Sequence, residues 1–352
     1  MNFAKETTAR RRLAVSREST NGANIQERPR PQVIYTTRYG KAVLAMAEDY
    51  LEQMEAGSVD LVMTSPPFAL LRKKTYGNLE QKEYVDWLIS FGPLVHRVLK
   101  DSGSFVIDLG GAYQKGAPLR SLYNFRVLLG LCDECGFHLA EDFYWHNPAK
   151  LPSPIEWVNI RKLRVKDSVN TIWWLCKSPE AKANVSNVLA PYSDRMKELI
   201  KDPEKFYSRA KRPSGHDIDM KFGKDNGGAI PPNLLQYPNT ESNSHYIRTC
   251  KALGIKPHPA RFPKSLPEFF IKFLTDPDDF VLDIFAGSNT TGEAAEALGR
   301  RWMSIECNRE YVISSAFRFM EDWLEQDIRD FVEQAQTETE PIKVASRQSV
   351  LF

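Results

Sequence analysis

Between residues 58 and 111 the spacing of apolar positions changes twice. "SVDLVMT", 58–64, is an apolar run of strand length, which predicts a strand buried on both faces. "KEYVDWLISFGPLVHRVLK" follows, with apolar residues three and four apart, and predicts one helix. "GSFVIDLGG" is again a strand, bounded by Gly103 and by Gly110 and Gly111. "LYNFRVLLGLCDECG" predicts a second helix, stopped at Gly136, and "FHLAEDFYW" and "SVNTIWWLCK" predict further strands. Beyond residue 256 the rhythm returns. "HPARFPKSLPEFFIKFLT" enters a helix, "FVLDIF" is a strand, "EAAEALG" is a helix ending at Gly299, and "RWMSIE" is a strand. Such alternation predicts an α/β sheet covered by helices on both faces.

Three stretches break the pattern. Residues 1–32 carry "ARRR" and "RPRP" without an apolar period and read as a disordered basic arm; 335–352 reads as a loose tail. The third, 177–256, is rich in Gly, Pro, Asn and Ser. It holds fourteen Lys and Arg against nine Asp and Glu, a surplus larger than the +2 of the whole chain. A basic, loop-rich insert in a near-neutral protein is the pattern of a surface that docks on phosphates. No run approaches the ~20 apolar residues of a membrane span. The N-terminus also lacks the apolar core of a secretory signal, so a cytoplasmic protein without a membrane partner is expected. "CDEC", 132–135, has half of a zinc-site spacing and no second pair to complete it. Its two thiols fall on one helix face and are read as packed side chains; no metal is expected.

Two loops carry candidate chemistry. In "FVLDIFAGSNTTGEAAEALG" a strand passes through a small-residue loop into a helix, the arrangement that brings backbone close to a nucleotide. The loop is not G-x-G-x-x-G, and Ser288, Asn289 and Thr290 without a lysine make a poor phosphate cradle. Asp283 ends the first strand, where a carboxylate can hold an ammonium group. Glu306 ends the next, nineteen residues after Gly287, where a carboxylate takes ribose hydroxyls. Ammonium, ribose and no phosphate together describe S-adenosylmethionine. The other loop is "MTSPPF", 63–68. Ligands of open α/β sheets sit beyond the carboxyl ends of the strands. If "VDLVMT" and "FVLDIF" are neighbours, this loop faces the methyl donor. Its prolines leave carbonyl groups without local donors, free with the Ser65 hydroxyl to accept from an exocyclic amine, and Phe68 can stack on the ring bearing it.

At these residues the sequence resembles the amino-group DNA methyltransferases. "TSPPF" resembles their catalytic motif in its cytosine-N4 form, and "DIFAGSNTTG" their S-adenosylmethionine motif; catalytic motif, insert and then cofactor motif is the β-group order. The resemblance implies a methyltransferase (Rossmann-like) α/β fold in circularly permuted order. Its catalytic half would span 33–176, an inserted target-recognition region 177–256, and its cofactor half 257–334. It implies a target-amine site of Ser65, Pro66, Pro67 and Phe68, with Asp108 near the flipped cytosine. It implies a cofactor site of Asp283, Phe285, Ala286, Gly287, Ser288, Asn289, Thr290 and Glu306, closed by "HPARFP" through Pro259 and Phe262. DNA contacts would come from Arg209, Lys211, Arg212, His216, Lys221, Lys224 and Asn226. A narrower likeness, carried by "SPPFAL", "LPSPIEWVN" and "RPSGHDI", implies the palindrome CAGCTG, methylated at its inner cytosine. The partners implied are duplex DNA, bound as a monomer, and a companion restriction endonuclease sharing the site. One departure is local: relatives carry Gly-Asp-Ser after the first strand, where this chain has "AMAEDYLEQ", leaving Glu48 or Asp49 to substitute.

Cytosine-C5 chemistry needs a thiolate in a proline-cysteine loop, and none of the five cysteines stands in one. Adenine-N6 enzymes of this resemblance mostly carry Asp where this chain has Ser65, so adenine is the second reading. A DNA-binding regulator without catalysis is the reading from another class, and it needs neither loop.

Overall fold

The computed structural model describes residues 28–67, 81–203 and 223–344. It divides into two compact units, Ala183–Pro232 and the remainder of the chain. The larger unit is built on one sheet of ten strands: β1 (Gln32–Thr36), β2 (Gly40–Leu44), β3 (Val59–Thr64), β4 (Leu99–Gly110), β5 (His138–His146), β6 (Val169–Cys176), β7 (Leu234–Gln236), β8 (Phe280–Asp283), β9 (Arg301–Glu306) and β10 (Ile342–Lys343). Their spatial order is β10-β1-β2-β9-β8-β3-β4-β6-β5-β7. Strands β2, β9, β8, β3 and β4 are parallel, and β6 runs antiparallel between β4 and β5. The carboxyl ends of seven strands (β2, β9, β8, β3, β4, β5 and β7) and the start of β6 therefore share one edge of the sheet.

The central strands are apolar because both faces are covered. β3 is buried along its whole length, including Asp60, whose charge is satisfied by Lys100 Nζ at 2.8 Å from each oxygen and by the Phe280 amide at 2.9 Å. One face carries α1 (Ala47–Gln53), α2 (Gln81–Ser90), α3 (Gly92–Val98) and α4 (Tyr123–Asp133). Leu51, Leu88, Val95, Val127, Phe105 and Leu282 meet there in a single apolar core, with Cys132 and Cys135 packed against it. The helix expected over 82–100 is two helices. Pro93 stands in the first turn of α3, where its missing N–H costs nothing. A Cβ on Gly92 would lie 2.5 Å from Cys135 Sγ, so only glycine lets α3 begin against the end of α4.

Helix α5 (Asp194–Lys201) lies in the smaller unit; α6 (His245–Ala252), α7 (Ser265–Leu274), α8 (Thr290–Ala297), α9 (Arg309–Ser315) and α10 (Glu325–Thr337) complete the larger one. In α7, Phe270 and Phe273 face the sheet, with ring centroids 5.1 Å from Phe143 on β5 and 5.2 Å from Trp174 on β6. In the smaller unit Ser193 caps α5 by accepting from the Met196 amide at 3.2 Å, and Ala190 bridges Ala229. Among the described residues no helix is long and apolar enough to cross a membrane.

Two expected boundaries move. The separate unit, 183–232, is narrower than 177–256: β7 pairs with β5 (Tyr144↔Leu234), and α6 buries Tyr246, Ile247 and Cys250 in the larger unit. The expected loose tail contains the end of α10 and β10, which pairs with β1 (Tyr35↔Ile342), and the buried Val344 donates to Thr36 O at 2.7 Å. A two-residue strand has no period to read; sheet pairing alone orders it.

Candidate active site

The register Leu61↔Val281 and Val62↔Leu282 makes β3 and β8 neighbours. The serine-diproline loop after β3 and the small-residue loop after β8 thus emerge side by side. Between them a cavity of ≈ 570 Å³ opens at the common edge. Ser65, Pro66 and Pro67 line it, together with Asp108 from β4 and Asn170 from β6. Phe285, Ala286, Gly287, Ser288, Thr290 and Glu306 line it from the β8 and β9 side, and Pro259 and Phe262 from the segment before α7.

Asp108 is buried by the strand on either side, and Gly110↔Asn170 pairing brings Asn170 to it across the β4–β6 ladder. The Ser65 hydroxyl donates to Asp108 Oδ2 at 3.1 Å, and Asn170 Nδ2 donates to Oδ1 at 3.1 Å. Burial pushes the Asp108 carboxyl up to about 6; those two hydrogen bonds and the charge of Lys150 offset part of the rise. With its proton committed to Asp108, Ser65 Oγ keeps its lone pairs for a donor inside the cavity.

On the other side, Glu306 accepts from the Gly287 amide through Oε2 and from the Asn308 amide through Oε1, each at 2.9 Å. Burial raises its carboxyl above the ordinary range. Gly287 has φ +52°, and a Cβ there would lie 2.9 Å from the His258 ring. The position needs glycine for both reasons. His258 is itself held edge-on to Tyr311, ring centroids 4.6 Å apart.

Asp283 and Asn289 depart from expectation, since neither lines the cavity. Asp283 is 2% exposed; Thr64 and Thr291 hydroxyls donate to its two oxygens at 2.6 and 2.7 Å, and the Phe285 amide donates at 3.1 Å. Burial raises its carboxyl, and these three donors pull it back. It joins β3, β8 and α8. Asn289, 0% exposed and left-handed at φ 58°, accepts from the Gly292 amide at 3.1 Å and donates to Tyr35 Oη at 3.0 Å. It caps α8.

The fold chooses between the two acids that the sequence left open, and it adds residues that the sequence reading missed. Glu48 lines the cavity, whereas Asp49 points away and pairs with Arg28 at 3.5 Å. Trp87 and Phe91 extend an aromatic wall from Phe285, with ring centroids 5.4 and 5.1 Å from it. Lys150 and Asn170 also line the cavity. Arg318 braces the loop from behind, donating to Ser288 O at 2.6 Å and to Glu293 Oε2 at 2.6 Å. Asn170 alone had a visible signal, an amide inside the apolar run "SVNTIWWLC".

A family model described as DNA methylase matches residues 59–317, from β3 through the whole cofactor-side loop. The chain belongs to the DNA methylase family. The methylase is 61% identical over 293 residues to the type II methyltransferase M.PvuII of Proteus hauseri, a match covering 83% of this chain and 87% of that protein. The solved structure of PvuII DNA methyltransferase (cytosine-N4-specific) aligns at a TM-score of 0.73 and 50% identity, covering 89% of this chain and 97% of that one. The DNA adenine methyltransferase YhdJ of Escherichia coli strain K12 is 28% identical over 289 residues, 78% of this chain and 82% of that one. Of the expected DNA-contact residues of the methylase, Lys224 and Asn226 are exposed in the smaller unit, and the Asn226 amide donates to Tyr192 Oη at 2.7 Å. Arg209, Lys211, Arg212, His216, Lys221 and the catalytic-loop Phe68 lie outside the described residues.

Proposed function

We propose that the protein transfers a methyl group from S-adenosylmethionine to the exocyclic N4 of a cytosine turned out of duplex DNA. We further propose that it does so within CAGCTG as the modification enzyme of a restriction–modification pair. The observation that carries this reading is one cavity holding Ser65, hydrogen-bonded to a buried Asp108, opposite the Phe285–Ser288 loop and Glu306. The residues fit the cofactor. Two acids, Glu48 and Glu306, and an aromatic wall suit a cationic, ribose-bearing ligand, and Gly287 lets backbone approach it closely.

When bound, S-adenosylmethionine supplies a methyl group on an electrophilic sulfonium. The chain supplies position. Cytosine N4 is a weak nucleophile because its lone pair conjugates with the ring. Ser65 Oγ, with its own proton on Asp108, accepts one amine hydrogen, and a carbonyl of the diproline loop accepts the other. Two acceptors held by rigid prolines favour a pyramidal nitrogen with its lone pair restored. Fixed alignment of this kind supplies up to about 7–11 kcal/mol of a barrier. Asp108 orients Ser65, and the methylated nitrogen is acidic enough to release its proton without a stronger base. The smaller unit would read the DNA word, with the lysines and arginines of the 183–232 sequence supplying charge for phosphates.

The test is to incubate the protein with labelled S-adenosylmethionine and DNA carrying CAGCTG, then digest to nucleosides. N4-methylcytosine, with protection against an endonuclease cutting at CAGCTG, is the expected outcome. N6-methyladenine would support the adenine reading instead. DNA retardation without any transfer would leave only a binding protein.

A further inference from the structure

The connection between β5 and β6, residues 147–168, is an ordered surface that buries almost none of its apolar side chains. Leu151 is 80% exposed and Val165 86%, and Ile155, Ile160 and Leu163 are exposed beside them. Disorder does not account for this, because the segment is tied throughout by hydrogen bonds. The Leu163 amide donates to Trp157 O at 2.8 Å, the Asn147 amide to Ser168 O at 2.8 Å, and Lys166 Nζ to Pro148 O at 3.1 Å. Its base is clamped by Arg120, which grips both oxygens of Asp167 at 2.8 Å. A loop held open in this way has spent backbone and side-chain bonds to present aliphatic groups to solvent.

Its charge is one-sided. Five cations, Lys150, Arg161, Lys162, Arg164 and Lys166, share 148–166 with one acid, Glu156. Arg164 and Lys166 donate to carbonyl oxygens, which leaves their charge uncompensated. Arg161 is stacked over Trp157, 5.1 Å from the ring centre, and so is pre-oriented. Asn147 and Lys150, at the root of the segment, line the cavity itself. Exposed cations beside exposed aliphatic groups, continuous with the mouth of a base-sized cavity, match a deformed duplex. Phosphates flank the opened step, and apolar base faces are uncovered within it.

We propose that the 147–168 segment is a second DNA-docking surface, separate from the 183–232 unit. Arg161 and Lys162 take phosphates flanking the target base, and Leu151 and Val165 pack against the step it leaves. This rests on the DNA-methylation reading above and adds a surface to it.

The test compares wild type with Arg161→Ala/Lys162→Ala and with Leu151→Ser/Val165→Ser. The probe is a duplex carrying CAGCTG, with 2-aminopurine in place of the target cytosine for the opening measurement. Each lost phosphate contact lowers the slope of log K against log salt by about 0.9, so the cation variant is expected to be shallower by about 1.8. The serine variant should keep that slope and lose most of the 2-aminopurine fluorescence rise on binding. Both should retain wild-type thermal denaturation. Should wild type fail to methylate DNA, the functional reading falls. If wild type methylates while both variants keep its slope and fluorescence, this inference alone falls. A serine variant that changes only sedimentation would make the patch a self-association face and would likewise overturn it.

Discussion

The Thr64 hydroxyl donates to Asp283 Oδ1 at 2.6 Å, joining the last residue of β3 to the last residue of β8. At that point the catalytic-side loop and the cofactor-side loop diverge, so their spacing depends on a buried carboxylate with three donors. Thr64→Val keeps the shape and removes one donor. The expected cost is about 1–3 kcal/mol, read from urea denaturation, because a buried carboxyl oxygen loses a hydrogen-bond partner. A difference within the error of the midpoint would show that Asp283 does not depend on Thr64.

Asp108 sets a pH dependence with a definite sign. Its folded pKa, about 6, lies above the ordinary 3.8, so the folded protein holds this proton more tightly than the unfolded chain. Stability from this group is greatest below about pH 4 and falls as pH rises to about 6. Methyl transfer should run the other way, declining below about pH 6 as protonation removes the acceptor that orients Ser65. Asp108→Asn should abolish the acid limb of the rate profile while lowering turnover at every pH, since its amide would donate to Ser65 and turn the hydroxyl proton into the cavity. An unchanged acid limb in that variant assigns the titration elsewhere.

Ser65→Ala removes the acceptor for the target amine while leaving the loop's two prolines in place. Turnover should fall by roughly 10²–10³-fold, the usual consequence of losing one pre-placed polar contact to a reacting group. DNA affinity measured by retardation should stay within about twofold. Parallel losses in both would make Ser65 a docking residue.

Glu48 and Asp49 are adjacent in sequence and differ in what they face. Glu48→Gln should weaken S-adenosylmethionine binding by about tenfold, the equivalent of ~1.4 kcal/mol, and Asp49→Asn should leave it unchanged. Calorimetric titration reads both. Equal affinities for the two variants would remove Glu48 from the cofactor site.

Asn289→Ala should destabilise the fold by about 2 kcal/mol, through the lost cap of α8 and the left-handed backbone at that position. Because Asn289 does not touch the cavity, cofactor affinity at temperatures below unfolding should match wild type. A large loss of affinity in a fully folded variant would place its side chain in the site after all.

The strands β3, β4, β5, β6, β8 and β9 were legible because their apolar runs and flanking glycines are local signals that the sheet did not override. The break between α2 and α3 was missed because the apolar period runs through it, although Gly92-Pro93 is a local breaker; the space left for Cys135 beside Gly92 shows why glycine stands there. β7 was missed inside a loop-rich stretch, since three residues have no period and their partners are 90 positions away. Turn chemistry at strand ends pointed to Ser65, Gly287 and Glu306, and all three line the cavity. Asn289 and Asp283 were placed in the right loops with the wrong neighbours. Polar side chains at a strand end look alike in sequence whether they face a ligand or cap a helix.

By itself the sequence determined the α/β alternation, the two strand-end loops and the residue types they carry, because each of these is fixed by short-range sterics and apolar periodicity. The tertiary structure decided which strands are neighbours. It thereby brought Ser65, Asp108 and Asn170 within hydrogen-bond reach, chose Glu48 over Asp49, and turned Asp283 inward. Those relations span tens to hundreds of residues and come from sheet register and burial, which the identity of no single segment encodes.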